Sequence, residues 1–146
     1  MKETAIIVDL DGTLCDTAHR QYFMNQPKKD WHGFYNALGK DKPHDWCEFL
    51  IEKLKGCVKV ILVSGRPSEH EAATRDWLDR NQIHFDKLLM RRSGDFRKDM
   101  VVKEEIYREA IEPHYKVLFC IDDRKQVVYM WRRIGLVCLQ CAPGDF

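Results

Sequence analysis

The sequence predicts an α/β fold, a three-layer, doubly wound parallel sheet of five strands within a single domain spanning residues 1–146. Short apolar, β-branched runs alternate along the chain with segments whose apolar residues recur at helical spacing. Three of the apolar runs end in polar or acidic residues, at the sheet edge where open α/β folds bind ligands. These observations together predict a ligand site at the carboxyl ends of the strands.

The first half of the chain supplies two strands and two helices. Residues 5–9 and Val58–Val63 are apolar runs typical of buried strands. Between them, residues 44–56 place four large apolar side chains at helical spacing. Ser68–Asn81 is predicted to be a helix that its first serine caps, with Glu71 at the capping-box position.

The second half continues the alternation. Lys87–Met90 is predicted to be a short strand, and Val101–Ile111 a helix that the following proline ends. The strand Val117–Ile121, the helix Gln126–Ile134 and the strand Leu136–Gln140 complete the pattern. Predicted helices therefore lie between successive strands, which favours a parallel sheet.

One segment does not fit the simple alternation. Residues 16–43 are too many for an ordinary connection between a strand and a helix. We therefore predict that they form a small, helical lid inserted between the first two strands, and we call this segment the lid.

Composition excludes several classes of function. The net charge is +1, so no bulk charge points to nucleic acid or to a membrane surface, and no apolar run approaches the ~18 residues of a membrane helix. No signal peptide is expected, and six cysteines without an evident pairing favour a reducing, cytoplasmic location. Cys138 and Cys141 form a Cys-x-x-Cys pair, but no second pair of ligands completes a zinc site, and no role is assigned to them.

Asp9 and Asp11 are the first candidate site residues. They close the first strand one residue apart, so both side chains can face one pocket, and Gly12 allows a sharp exit. Two carboxylates there can hold a hard cation such as Mg2+, or one can attack phosphorus while the other transfers a proton. The alternative is an ordinary Asp-Gly turn at the end of a strand.

Two further strand ends carry polar groups. Ser64 follows the second strand, where its hydroxyl and neighbouring amides can bind phosphate oxygens or simply cap a helix. Asp122 and Asp123 close the fourth strand, and their mutual repulsion calls for a cation. Lys103 supplies a positive charge, with Asp99 one helical turn before it, although a single lysine on a helix is usually solvated.

In this order, Asp9-x-Asp11-Gly-Thr, Ser64, Lys103 and Asp122-Asp123 resemble the four motifs of the haloacid dehalogenase-type phosphatases. The stretch from Met90 to Ile106, the stretch from Ile121 to Gly135 and the final Gly-Asp-Phe are more specifically similar to the 3′-phosphatase domain of bacteriophage polynucleotide kinase-phosphatase. The resemblance covers nearly the whole chain and implies a haloacid dehalogenase-like fold.

The resemblance implies a role for each matched acid. Asp9 would be the nucleophile that forms an aspartyl-phosphate, and Asp11 would protonate the leaving oxygen and then activate water. Mg2+ would be held by the Asp9 carboxylate, the Asp11 main-chain carbonyl and Asp123, with Asp122 close behind.

The resemblance also implies which residues bind the substrate. Ser64 and Lys103 would hold the transferring phosphate. Arg20 and Arg66 match family arginines near the substrate, and Arg91 matches a further family arginine. Asp99 matches a family acid that would position Lys103 or an arginine, and it is counted with these three as a substrate-binding candidate. Arginine suits this role because its planar fork binds phosphate oxygens bidentately, whereas the alternative for Arg20 and Arg91 is a solvated surface charge.

The implied activity is Mg2+-dependent removal of terminal 3′-phosphates from DNA or RNA. The expected partners are nucleic-acid 3′ ends, and a separate kinase or ligase of the same repair pathway. Kinase activity is not expected, because five residues separate Gly33 from Gly39-Lys40 and Asp41 follows instead of serine or threonine. Whether the chain is free-standing or part of a larger enzyme stays open.

Additional nucleic-acid contacts are expected around the site. An aromatic side chain, Trp31 or Tyr22, is a candidate for stacking on the terminal base. The basic residues that are candidates for phosphate contacts are Arg20, Arg66, Arg91, Arg92, Arg97 and Lys98.

Two alternatives remain at the level of the sequence. The first is a phosphatase of the same fold that acts on mononucleotides or small phosphometabolites. The second is a catalytically idle module that binds nucleic acid or mediates oligomerisation. The complete set of acids argues against the second alternative, because a binding module has no use for Asp11.

Overall fold

Seven β-strands and five α-helices make up the fold in the computed structural model, which describes residues 1–146. In chain order they are β1 (Glu3–Val8), β2 (Cys15–Asp16), α1 (Trp31–Asn36), β3 (Lys42–Pro43), α2 (Asp45–Leu54), β4 (Lys59–Pro67), α3 (Glu71–Arg80), β5 (Lys87–Arg91), α4 (Asp99–Ile106), β6 (Tyr115–Arg124), α5 (Lys125–Arg133) and β7 (Cys138–Gly144). Short 3-10 turns cover Ala18–Phe23, Leu38–Lys40 and Ser68–His70, and a π-helical turn, Tyr107–Ile111, extends α4.

The five longer strands form one sheet in the order β5-β4-β1-β6-β7, and every neighbouring pair is parallel. The chain therefore starts at the centre, builds outward through β4 and β5, and then returns to the other side of β1 through β6 and β7. This arrangement confirms the predicted doubly wound parallel sheet. It also leaves the carboxyl ends of β4, β1 and β6 side by side.

Helices cover both faces of the sheet. Ile6 and Val8 of β1 point to one face, where they share a core with buried residues of α2 and α3. Ala5 and Ile7 point to the other face and share a second core with residues of α5 and of the π-helical turn. The two cores confirm the three-layer architecture, since alternate residues of a strand face opposite sides.

The lid contains α1 and two of the 3-10 turns, so its predicted helical character is confirmed. Its two ends pair as an antiparallel ribbon, in which Cys15 lies opposite Pro43 and Asp16 opposite Lys42. The sequence did not predict this ribbon, because strands of two residues show no periodicity. The pairing returns the chain to the sheet edge at the start of α2.

One predicted cap is wrong. Ser68 does not cap α3, which begins at Glu71 without any side-chain cap. Instead, the Ser68 hydroxyl oxygen accepts a hydrogen bond from the Ser93 amide, and the Ser93 hydroxyl oxygen accepts one from the Glu69 amide, both at 3.0 Å. The serine therefore joins the start of the helix to the segment after β5.

The predicted element bounds need small corrections. β1 ends at Val8, one residue earlier than predicted, whereas β4 continues to Pro67 and β6 to Arg124. None of the helices combines the length and the apolar character that crossing a membrane requires.

Candidate active site

Three adjacent strands bring the predicted acids and serine together. Asp9 directly follows β1, Ser64 lies in β4 on one side, and Asp122 and Asp123 lie in β6 on the other. All four residues are buried, with 1 to 6% of their surface exposed. The sheet topology therefore builds the site that the strand ends predicted.

A tight turn after β1 fixes the orientation of Asp9. The Asp9 amide donates to the carbonyl of Ile121 in β6 at 3.1 Å, and the Thr13 hydroxyl donates to Asp9 Oδ2 at 3.1 Å. Gly12 adopts φ +85°, and a Cβ atom at this position would overlap the Asp123 carboxylate. Glycine is thus required both by the backbone conformation and by the close approach of β6.

Lys103 crosses from α4 into this group of carboxylates. Its Nζ donates to Asp9 Oδ1 and to Asp122 Oδ2, both at 2.9 Å, and lies 3.6 Å from Asp99 Oδ2. The side chain is only 1% exposed, so these acids, not water, compensate its charge. The burial excludes the simpler interpretation of Lys103 as a solvated surface lysine.

One lysine does not neutralise the whole cluster. Burial, followed by repulsion from Asp122, raises the pKa of Asp9 well above its usual value, even though Lys103 acts in the opposite direction. Burial likewise raises the pKa of Asp122. The cluster therefore has an excess of negative charge that a further cation would relieve.

The donor set of this cluster fits a hard divalent cation. Asp9, Asp122 and Asp123 each offer a carboxylate oxygen, and these oxygens lie within 4.8 Å of one another. Carboxylate oxygens are the ligands that Mg2+ prefers. The Asp11 carboxylate lies outside this group, so the predicted contribution of Asp11 through its main-chain carbonyl stays a prediction.

Asp11 faces two arginines instead. Arg66 approaches it with Nη2 at 2.6 Å from Oδ1 and Nε at 3.1 Å from Oδ2, and Arg20 Nη2 donates to the same Oδ1. Burial alone would raise the pKa of Asp11, but Arg66 and Arg20 outweigh it and hold the pKa well below its usual value. The free site therefore contains Asp11 as a carboxylate.

Asp41, at the end of the lid, was not found by sequence reasoning. It accepts hydrogen bonds from Arg20 Nε at 2.9 Å and Arg20 Nη2 at 2.6 Å, and its side chain is fully buried. His19 Nε2 lies 2.6 Å from the same carboxylate. An isolated aspartate in an irregular segment matches no sequence pattern. Only the fold shows that Asp41 holds Arg20 beside Asp11.

Ser64 and Arg66 are held together at the end of β4. The Ser64 hydroxyl oxygen accepts from the Arg66 amide at 3.0 Å, and Arg66 Nη1 donates to the Thr74 hydroxyl of α3 at 2.9 Å. A Cβ atom at Gly65 would overlap the Asp99 carboxylate. The backbone at the end of β4 therefore passes directly against Asp99.

Arg91 lies at the margin of the site and mainly contacts backbone. Its guanidinium donates to the carbonyls of Gly65 at 2.8 Å, Asp95 at 3.0 Å and Arg97, and reaches Asp99 Oδ1 at 3.4 Å. This geometry supports a role in holding the loops around Asp99. Contact with substrate, as predicted for Arg91 and Asp99, stays a prediction.

The remaining basic candidates lie outside this network. Arg97 pairs with Asp95 and Glu105 on the surface, and the Arg92 side chain is 84% exposed. Arg124, which sequence reasoning did not select, approaches Asp99 with Nη1 at 3.7 Å from Oδ2. Its position after the Asp122-Asp123 pair was the only available signal.

Comparison with known proteins gives a consistent result. A family model described as the polynucleotide kinase PNKP phosphatase domain matches residues 3–146. A protein of Autographa californica nuclear polyhedrosis virus, named as a bifunctional polynucleotide kinase/RNA ligase, is 31% identical over 138 residues, which cover 90% of this chain and 18% of the viral protein.

Solved structures show the same relationship. A chain of the Pnkp1/Rnl/Hen1 RNA repair complex superposes with a TM-score of 0.86 at 37% identity, over 99% of this chain and 44% of that chain. A haloacid dehalogenase-superfamily hydrolase of Ehrlichia chaffeensis has a TM-score of 0.60 at 19% identity, over 95% of this chain and 87% of its own length, and shows the fold alone. This chain thus spans less than half the length of the first two relatives.

Proposed function

The chain belongs to the polynucleotide kinase PNKP phosphatase domain family, and from this premise we propose that it hydrolyses terminal 3′-phosphates of DNA or RNA. The observation that carries the proposal is the division of the site into two halves. One half contains Asp9, paired with Lys103, and the other contains Asp11, paired with Arg20 and Arg66. A nucleophile and a proton-transfer group are thus held by separate partners.

In the first step, a carboxylate oxygen of Asp9 attacks phosphorus. A bond forms between that oxygen and phosphorus, the bond to the 3′-oxygen breaks, and Asp11 donates a proton to the leaving 3′-oxygen. In the second step, water attacks the phosphorus of the aspartyl-phosphate while Asp11 accepts a proton from that water. Inorganic phosphate leaves, and the Asp9 carboxylate is restored.

The arginines explain how Asp11 can serve in both steps. In the free site Arg20 and Arg66 hold Asp11 as a carboxylate, and after Asp11 has given a proton to the leaving oxygen it is again the carboxylate that accepts a proton from water. A substrate phosphate competes for the same guanidinium groups, because phosphate is a bidentate partner of arginine. Transfer of the arginines to the phosphate raises the pKa of Asp11 and favours the protonated form that the first step needs.

Lys103 and Ser64 are placed to offset the negative charge of the transferring phosphoryl group. Lys103 contacts Asp9 and Ser64 lies on the neighbouring strand β4, where a cationic ammonium and a hydroxyl can bind non-bridging oxygens. Asp9, Asp122 and Asp123 would hold Mg2+, with the Asp11 main-chain carbonyl as a further ligand. When bound there, the cation would offset the negative charge of the phosphoryl oxygens and of the acid cluster.

We further propose that the products pass to a separate kinase or ligase activity. The viral relative is named for kinase and ligase functions, and the Pnkp1 relative was solved within an RNA repair complex. A 3′-phosphatase prepares the 3′-hydroxyl end that strand joining requires. The names of these relatives favour RNA over DNA as the first substrate to test.

Phosphate release from 3′-phosphorylated RNA and DNA oligonucleotides tests the proposal. The controls are a 5′-phosphorylated oligonucleotide, a 3′-mononucleotide, EDTA in place of Mg2+, and the Asp9→Asn variant. We expect metal-dependent release that prefers the 3′-phosphorylated oligonucleotides. Faster release from the mononucleotide would instead favour a phosphatase of small metabolites and withdraw the polynucleotide substrate.

A further inference from the structure

Three ring side chains form a continuous column beside the site, and we call Trp31, Tyr35 and His70 the aromatic column. The Trp31 and Tyr35 rings stack with centroids 5.8 Å apart and an interplanar angle of 22°. The His70 ring belongs to a distant segment, at the start of α3, and its centroid lies 5.2 Å from that of Tyr35. The column therefore joins the lid to the main domain.

The lid end of the column is connected to the catalytic acids through Arg20. Phe34 packs edge-to-face on Trp31 at 6.0 Å, and the Arg20 guanidinium lies 4.2 Å above the centre of the Phe34 ring. Arg20 Nη1 also donates to the Phe34 carbonyl at 3.3 Å. The same guanidinium binds Asp11, so the position of α1 is linked directly to the site.

The other end is connected through Arg66. The His70 carbonyl accepts a hydrogen bond from the Thr74 hydroxyl at 2.8 Å, and that hydroxyl accepts one from Arg66 Nη1 at 2.9 Å. Arg66 is the second arginine on Asp11. The column is thus fixed at both ends to the two cations that flank this carboxylate.

The electrostatic environment shows that the column lies near the charged groups of the site. Burial, together with the negative charges of Asp11 and Asp99, raises the pKa of the Tyr35 phenol. Burial and the nearby Arg66 lower the pKa of His70, so its imidazole is neutral at physiological pH. Neutral, flat rings at this place suit stacking on a planar ligand.

We propose that the exposed face of Trp31 stacks on the nucleobase nearest the 3′-phosphate, an inference that rests on the proposed function. Trp31 is 45% exposed, whereas Phe34 beneath it is 6% exposed and already fills the interior of the lid. Lys29 Nζ lies over the Trp31 ring, 5.7 Å from its centre, and would leave this position for a phosphodiester of the bound strand when a base stacks there. One planar base and one backbone phosphate are therefore matched by neighbouring groups.

Tyr22 is the competing aromatic residue, and the structure disfavours it. It is 67% exposed, and its ring makes an edge contact with Phe23 at 5.5 Å. No hydrogen bond or ring contact joins its side chain to Arg20 or Arg66. Trp31, in contrast, is held in register with the site by the rings beneath it, so its face can position a base relative to the reacting phosphate.

The test compares Trp31→Leu with wild type on two substrates. One is a 3′-phosphorylated oligonucleotide, and the other is the same strand with an abasic sugar at its 3′ end. We expect Trp31→Leu to raise KM for the ordinary end by about 5- to 100-fold, the range of one base-aromatic stack, with little change in kcat. The abasic end should respond less than about 3-fold, since it has no base to stack.

Three further variants sharpen the comparison. Trp31→Phe keeps a ring and should recover most of the lost affinity. Tyr129→Leu removes a ring that is 63% exposed on α5 and should leave both substrates unaffected. Tyr22→Leu tests the competing aromatic residue. Thermal denaturation of each variant shows whether the fold is retained.

The outcomes are distinct. An equal loss on both substrates, or no loss on either, would overturn the inference and leave the phosphatase assignment intact, and so would a base-dependent loss in Tyr22→Leu alone. If the wild-type protein releases no phosphate from any 3′ end, the proposed function fails, and the inference fails with it. If Trp31→Leu is unstable, the ratio between the two substrates is measured for Trp31→Gln, which also lacks a ring and keeps a side chain that favours helix.

Discussion

The Lys103 ammonium, on α4, donates to the Asp9 carboxylate at the end of β1 at 2.9 Å, and the two residues are 94 positions apart in the sequence. The contact places a permanent positive charge on the proposed nucleophile while leaving its second oxygen to Thr13. Because both side chains are almost fully buried, removing either charge leaves the other without compensation and should lower the stability of the folded protein. This pair is therefore the most informative place to perturb the site.

Lys103→Gln should reduce both stability and activity. Removal of the ammonium leaves Asp9 and Asp122 buried without their shared cation, so the free energy of unfolding should fall by about 3 kcal/mol without metal. Mg2+ should restore part of this loss, because it binds only the folded cluster. Urea denaturation with and without Mg2+ measures the effect.

The matched control for that variant is Lys125→Gln, since Lys125 is 72% exposed on α5. Its stability and activity should match wild type. Phosphatase activity of Lys103→Gln should fall by at least about 100-fold, as for other groups that stabilise a developing charge. Equal stability of the two variants would contradict the compensating role of Lys103.

Asp9→Asn should abolish turnover without unfolding the protein. The substitution removes the attacking carboxylate, so activity should fall by at least about 1000-fold. Stability at pH 7 should be retained, because the pKa of Asp9 is raised in the folded state and its ionised form is therefore disfavoured there. Steady-state assays and thermal denaturation give the two readouts, and unchanged activity would exclude Asp9 as the nucleophile.

Gly12→Ala should be far more damaging than Gly94→Ala. Both glycines have φ +85°, but a Cβ at Gly94 meets no atom within 4 Å, whereas at Gly12 it overlaps the Asp123 carboxylate. Gly94→Ala should cost only the backbone strain of about 1 kcal/mol. Gly12→Ala should cost about 2 kcal/mol more and weaken Mg2+ binding.

Chemical denaturation of the two alanine variants and a metal titration measure this difference. Because the backbone strain is the same in both, the difference isolates the contact between the turn and β6. Equal losses in the two variants would show that Asp123 can move away without cost.

Asp41→Asn should impair catalysis indirectly, because Asp41 positions Arg20 and does not itself contact the reacting groups. The change removes the charge that holds Arg20, so Arg20 should bind Asp11 or phosphate in altered geometry, lowering kcat/KM by about 10- to 100-fold. Asp79→Asn, on the exposed face of α3, is the control and should behave as wild type. Wild-type kinetics of Asp41→Asn would show that Asp11 and Phe34 alone are sufficient to position Arg20.

Cys141 should resist alkylation at neutral pH despite its exposed position. Burial of the thiol raises its pKa to about 11, against a smaller opposing effect of the hydrogen bond with Thr13. Because the thiolate is the reactive form, labelling by iodoacetamide should increase by about tenfold per pH unit between pH 7 and 10. Peptide mass spectrometry measures it, with the exposed Cys57 as the comparison.

If Cys141 were labelled as fast as Cys57 at pH 7, the burial that raises the pKa of its thiol would have to be absent in solution. The Cys-x-x-Cys pair would then need a reactive role. Slow labelling supports a thiol that packs against the Asp9 turn.

Much of the fold could be predicted because its signals are local. Apolar runs located all five strands of the main sheet, and helical spacing located α2, α3, α4 and α5 to within a few residues. The ribbon between β2 and β3 and the partner of Ser68 could not be predicted. Both depend on contacts between segments that only the folded lid and sheet bring together.

The sequence by itself determined which residue types stand at the ends of the strands. A strand that ends in Asp9, Ser64 or Asp122-Asp123 must present those groups at the carboxyl edge of a parallel sheet, and the family motif added Lys103. Local chain geometry is sufficient for that conclusion, because strand direction fixes the edge at which each side chain lies.

Only the tertiary structure decided how those groups are paired. It placed Lys103 on Asp9 and the two arginines on Asp11. It also paired Arg20 with Asp41, which lies in a segment without any periodic pattern. Finally, it linked Trp31 to Arg20 through the Phe34 ring. Charge pairing depends on distances of a few ångströms between distant segments, and those distances are set by packing, not by position in the sequence.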